Sequence, residues 1–110
     1  MANLSIIGAG AWGSALSIAL SDNFDTIYLH TYAEAEIETL KPRHPALSVN
    51  YADNVELTFD LSLIQQSQSI LVAVPSYGFA TTLESIKPFL TSGQPIAWVT
   101  KGFDTHQQGF

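Results

Sequence analysis

The chain of 110 residues contains no cysteine, so disulfides and thiolate metal sites are excluded, and a reducing, cytoplasmic setting is the expected one. Strong cations are scarce: Lys41, Arg43, Lys87 and Lys101 stand against ten acids, for a formal net charge of −6. That balance argues against nucleic acid, which calls for a basic face. No apolar run approaches the ~20 residues of a membrane-spanning helix. The start, Met1-Ala2-Asn3-Leu4, has neither the basic segment nor the cleavage site of a signal peptide. His30, His44 and His106 share no metal-ligand spacing, so no metal site is expected. Neither a G-x-S-x-G elbow nor a P-loop is present, which removes the serine-hydrolase and nucleotide-hydrolase readings. Repeats and low-complexity tracts are also lacking.

What is present is enough apolar material, 46% of residues, for one core and not two, so residues 1–110 are read as a single domain. Its period alternates between strand and helix. Residues 4–7 read as a buried strand, and 12–21 as a helix with Leu16, Ala19 and Leu20 on its apolar side. Residues 26–29 form a second strand, followed by a short helix (Ala33, Ile37, Leu40) whose glutamates face solvent. Residues 41–54 carry no clear period and read as a long loop. Val55, Leu57 and Phe59 alternate as a third strand, and 61–66 as a short helix that Asp60 can cap. The continuous run 69–74 suits a central parallel strand covered on both faces. Phe79, Leu83, Ile86 and Leu90 form a helical stripe, and 96–99 a fifth strand at the sheet's edge. Strands alternating with helices predict an α/β fold, a doubly wound parallel sheet of Rossmann type with about five strands.

In such sheets ligands sit beyond the carboxyl ends of the strands. One of those ends is Gly8-Ala9-Gly10-Ala11-Trp12-Gly13, directly after the first strand and opening the first helix. The first glycine allows a tight turn, the second lets a ligand approach the backbone, and the third lets helix and strand pack closely. Backbone N–H groups and the positive end of the helix dipole then converge where a pyrophosphate fits, with Ala11 in the first turn. The motif therefore points to a dinucleotide. The other strand ends are His30-Thr31-Tyr32, the segment from Pro75 to Phe79, and Thr100-Lys101-Gly102.

The ribose-binding acid usual at the second strand's end is missing, and no arginine replaces it, so neither NAD nor NADP is selected. Thr31 and Tyr32 either hydrogen-bond the ribose or its phosphate, or merely cap the strand. Trp12 either packs the helix start against the sheet or flanks the pyrophosphate and nicotinamide; the two roles are compatible. Phe79 is either core or a wall of the cofactor pocket, next to Pro75. Lys101, a rare cation at a strand's carboxyl end, is the candidate to neutralise a phosphate or polarise a carbonyl.

Taken together, Gly8-Ala9-Gly10-Ala11-Trp12-Gly13-Ser14-Ala15-Leu16, Val74-Pro75-Ser76 and Thr100-Lys101-Gly102 resemble the bacterial-type glycerol-3-phosphate dehydrogenases over nearly the whole chain. The resemblance implies interconversion of dihydroxyacetone phosphate and sn-glycerol 3-phosphate with NAD or NADP in the cytoplasm, supplying phospholipid backbones. It places Trp12, Thr31, Tyr32 and Lys101 at the cofactor, and Lys101 at the substrate as well. Two departures stand out: family members usually carry His or Arg where Thr31 and Tyr32 stand, and loop 41–54 matches their leucine–proline segment only loosely. The family is about three times longer, with a helical second domain that supplies the acid–base lysine. This chain is therefore expected to be its front part, with no catalytic proton donor of its own and a possible homodimer. The alternatives are another reductase of the superfamily, such as ketopantoate reductase or hydroxyisobutyrate dehydrogenase, or a non-catalytic dinucleotide-binding module.

Overall fold

The computed structural model describes residues 2–31, 35–41, 44, 45, 47, 50–74 and 78–98. Its strands are β1 (Asn3–Ile7), β2 (Thr26–His30), β3 (Val55–Thr58), β4 (Ser69–Val72) and β5 (Ile96–Trp98). Its α-helices are α1 (Ala11–Leu20), α2 (Ala35–Leu40) and α3 (Phe79–Ile86). All strand pairs are parallel, in the order β3-β2-β1-β4-β5. The chain first runs outward from β1 to β2 and β3, then crosses back to β4 on β1's other side. The strand order therefore reverses between β1 and β4, where an open α/β sheet forms its ligand crevice.

Alternation along the strands divides the core in two. Leu4, Ile6, Ile27 and Leu29 face α1 and α2, with Leu16, Leu20 and Leu40 packed on them. Ile7, Ile70 and Val72 face the opposite layer, where Ile64, Leu83 and Ile86 cover them. A two-sided sheet of this kind needs apolar residues on both faces, which is why β1 and β4 read as continuous runs rather than alternating ones.

Several boundaries differ from the sequence expectations for local physical reasons. β4 stops at Val72, short of residue 74, because its neighbour β1 ends at Ile7; one more bond, from Ala73 N–H to the Ile7 carbonyl (2.8 Å), closes the ladder. β3 stops at Thr58, and Phe59 lies beyond it, 47% exposed. The Asp60 amide there turns back onto Thr58 Oγ1 (3.0 Å). Residues 61–66 form a 3-10 helix, capped as expected by Asp60, whose Oδ1 accepts from the Ser62 amide at 3.0 Å. The stripe that reaches Leu90 is helical only to Ile86, and a 3-10 turn containing Pro88 follows. In α1 the buried residues are Gly13, Ser14 and Ser17, whereas Ala19 is exposed. This helix lies so close to the sheet that its inner side is made of small residues, with Leu16 and Leu20 at its flank.

Candidate functional site at the glycine turn

The turn between β1 and α1 is shaped by what a side chain would strike. Gly8 has φ +116°, a conformation that favours glycine, and a Cβ there would run into the Ala73 carbonyl oxygen. A Cβ on Gly13 would land on the carbonyl oxygen of Gly8, so α1 rests directly on the turn. Gly10 is the opposite case: a Cβ built on it meets nothing within 4 Å. Two glycines are thus required by the protein's own packing, while the middle one opens onto free space.

That space adjoins the N-terminus of α1. The first intrahelical bond runs from Ser14 N–H to the Gly10 carbonyl (2.9 Å). The preceding amides of Ala11, Trp12 and Gly13 have no acceptor one turn back. Gly10 at the cap position offers no side chain to them, and the first turn carries no acid. The positive end of the helix is therefore uncompensated from within. An anionic group with several oxygens suits such a place, and the open surface over Gly10 admits it. Trp12, in the first turn of α1, is 40% exposed.

The end of β2 is bonded to the turn, with the Gly8 N–H donating to the His30 carbonyl (3.1 Å). Thr31 is buried and its N–H donates to the Thr58 carbonyl (2.8 Å), which ties it to the adjacent strand. A cavity of about 540 Å³ opens here, with Ile7, His30, Thr31, Phe59, Thr81 and Ile86 in its wall and, among the described residues, no lysine, arginine or acid lining it. Gly78, just before α3, also borders it. Phe79 opens α3, with its side chain outside the described residues, as are Tyr32, Pro75 and Lys101 altogether.

His30 was not expected to have any special role, and its environment is distinctive. The ring is buried, with Nε2 3.1 Å from Ser5 Oγ, which in turn lies 2.7 Å from Ser67 Oγ. Its Nδ1 is buried without a hydrogen-bond partner among the described residues. Burial lowers the imidazole pKa to about 4 against the opposing pull of the Asp60 carboxylate, so the ring is neutral at physiological pH. The hydrogen bonds of Asp60 with the Ser62 hydroxyl and amide hold its own pKa below the ordinary value. Among the described residues, no cluster of His, Asp or Glu is arranged to hold a metal ion.

A five-stranded parallel sheet with a glycine turn opening at its switch point defines the dinucleotide-binding class of α/β domains. The chain belongs to the family described as the NAD-dependent glycerol-3-phosphate dehydrogenase N-terminus, which matches residues 3–110. It is 59% identical over 108 residues to a glycerol-3-phosphate dehydrogenase (NAD(P)+) of Vesicomyosocius okutanii, covering 98% of this chain and 33% of that protein. A protein of the same description from Ruthia magnifica is 56% identical over the same shares. The solved glycerol-3-phosphate dehydrogenase of Coxiella burnetii superposes with a TM-score of 0.80 at 25% identity, over 96% of this chain and 34% of that one. The chain thus spans about a third of the length of these relatives. The resemblance drawn from its motifs is borne out, and the other reductases of the superfamily give way to this family. No helix among the described residues is long and apolar enough to cross a membrane.

Proposed function

We propose that this chain is the cofactor-binding part of an oxidoreductase that interconverts dihydroxyacetone phosphate and sn-glycerol 3-phosphate with NAD or NADP in the cytoplasm. The observation that carries the reading is the pairing of an open Gly10 with the uncompensated N-terminus of α1. Gly8, Gly10, Ala11 and Gly13 form the pyrophosphate cradle, and Trp12 flanks it toward the nicotinamide. Thr31 and Tyr32 take the adenosine ribose at the end of β2, and the cavity lined by Thr31 leaves room for the adenosine half. Pro75 and Phe79 complete the set of residues we assign to cofactor binding.

When bound, the dihydronicotinamide supplies a hydride to the substrate's carbonyl carbon. Lys101 neutralises the substrate phosphate or polarises its carbonyl oxygen, but no side chain of this chain is assigned as the proton donor, which the remainder of a family member supplies. A homodimer of the whole enzyme is compatible with this assignment.

The test is an assay of the full-length gene product with dihydroxyacetone phosphate and each reduced cofactor in turn. Substrate-dependent oxidation of NADH or NADPH is expected. Absence of oxidation with both cofactors overturns the reading.

A further inference from the structure

The loop that reads as featureless in the sequence is fastened to α1 at both ends of the helix. Tyr51 reaches the first turn, with its hydroxyl 3.0 Å from Ser14 Oγ. Asn54 reaches the residues just past the other end, where its side-chain amide donates to the carbonyls of Ser21 (2.8 Å) and Phe24 (2.9 Å). Between the two anchors the chain folds into a turn, in which the Val55 N–H donates to the Ala52 carbonyl (3.1 Å). The segment from Tyr51 to Asn54 is thus a strap, tied by one side chain to the start of α1 and by the other to the residues just past its end. Its far end is held to the sheet, because the Asn54 carbonyl accepts from the Ile27 amide (2.9 Å).

The Tyr51 end of the strap bears on the glycine turn. Ser14 is fully buried, and its hydroxyl also donates to the Ala9 carbonyl, between the first two glycines, at 3.4 Å. A serine has one proton to give. With that proton on Ala9, the Tyr51 hydroxyl is the donor to Ser14, and the sequence of bonds is Tyr51 to Ser14 to Ala9. The Tyr51 ring itself packs on the core beneath α1.

We propose that Tyr51 is a positioning residue for the dinucleotide: through Ser14 it fixes the Ala9 peptide, so that the turn holds the shape the pyrophosphate needs. This rests on the dinucleotide reading above. Tyr51 touches no ligand in this role. Its hydroxyl acts through Ser14, and the ring and its packing are separable from it.

The experiment compares wild type, Tyr51→Phe, Ser14→Ala, the double variant and Asn54→Ala. Two readouts are taken, the NADH dissociation constant and the hydrogen-exchange rate of the Ser14 amide without ligand. Tyr51→Phe keeps the ring and removes the bond, so NADH binding should weaken about three- to tenfold, the size expected for one lost hydrogen bond. Exchange at Ser14, whose amide closes the first turn of α1, should speed up in step. Ser14→Ala should reproduce the loss, with Tyr51→Phe adding nothing in that background. Asn54→Ala should lower the melting temperature and leave NADH affinity unchanged. A wild-type chain that does not bind NADH refutes the dinucleotide reading. A wild-type chain that binds, with Tyr51→Phe within about twofold of it or with additive losses in the double variant, refutes the positioning role alone.

Discussion

At the scale of single residues, the glycines of the turn separate by what they face. A valine side chain at Gly10 enters open space, so Gly10→Val should shift the melting temperature by no more than about 2 °C while blocking the ligand's approach. At Gly13 the first carbon of any side chain meets the Gly8 backbone, which cannot yield without moving α1 off β1. Gly13→Val should therefore destabilise by about 3 kcal/mol or more, and affinity is lost with the fold. Denaturant unfolding of both variants checks the contrast, and equal small effects would mean that the turn has no ligand role. His30 supplies a pH prediction. Its folded pKa of about 4 lies below the ordinary value of 6.5. The unfolded chain therefore takes up the proton first, and the stability due to the neutral ring is present above pH 6.5 and lost as pH falls toward 4. The size is about 3 kcal/mol across that window. His30→Gln should flatten this part of the stability curve relative to wild type, and an unchanged slope would contradict the assignment.

At the scale of elements, the sheet edge carries a consequence. β5 is outermost in the strand order, with Ala97 exposed and Trp98 55% exposed. Among the described residues, no strand lies on its outer side. An apolar outermost strand is a template for pairing with another chain. The 110-residue chain is therefore expected to self-associate as concentration rises, and Ala97→Lys to shift that association to higher concentration. Light scattering after size exclusion checks this, and a wild-type chain that stays monomeric throughout would contradict it. The elements also show what a sequence conveys and what it withholds. The glycine spacing, the continuous run in β4 and the strand–helix alternation are local patterns, so the fold and the turn were legible. The inner face of α1 was not: counting apolar residues at helical spacing favours Leu16, Ala19 and Leu20, whereas close packing on the sheet selects Gly13, Ser14 and Ser17. The strap was illegible as well, because the Tyr51–Ser14 and Asn54–Ser21 bonds join residues 37 and 33 positions apart, and no periodicity records such pairs. Alternation alone places Phe59 in a strand, whereas the β2–β3 register ends at His30 and Thr58.

At the scale of the whole molecule, the account divides binding from chemistry. The crevice at the switch point, the open Gly10 and the free helix terminus lie within this chain, whereas the general acid is expected from the remainder of the longer enzymes. The 110-residue chain should bind the cofactor and turn over nothing, and dihydroxyacetone phosphate-dependent oxidation of NADH by it would contradict that division. The most direct measurement is a titration of the purified chain and of Gly10→Val with NADH, followed by energy transfer from tryptophan to the dihydronicotinamide, with melting curves taken on both. Saturable binding to wild type that is abolished in an equally stable Gly10→Val is the predicted result. No binding to wild type, or equal binding to both, would contradict a pyrophosphate site at the glycine turn.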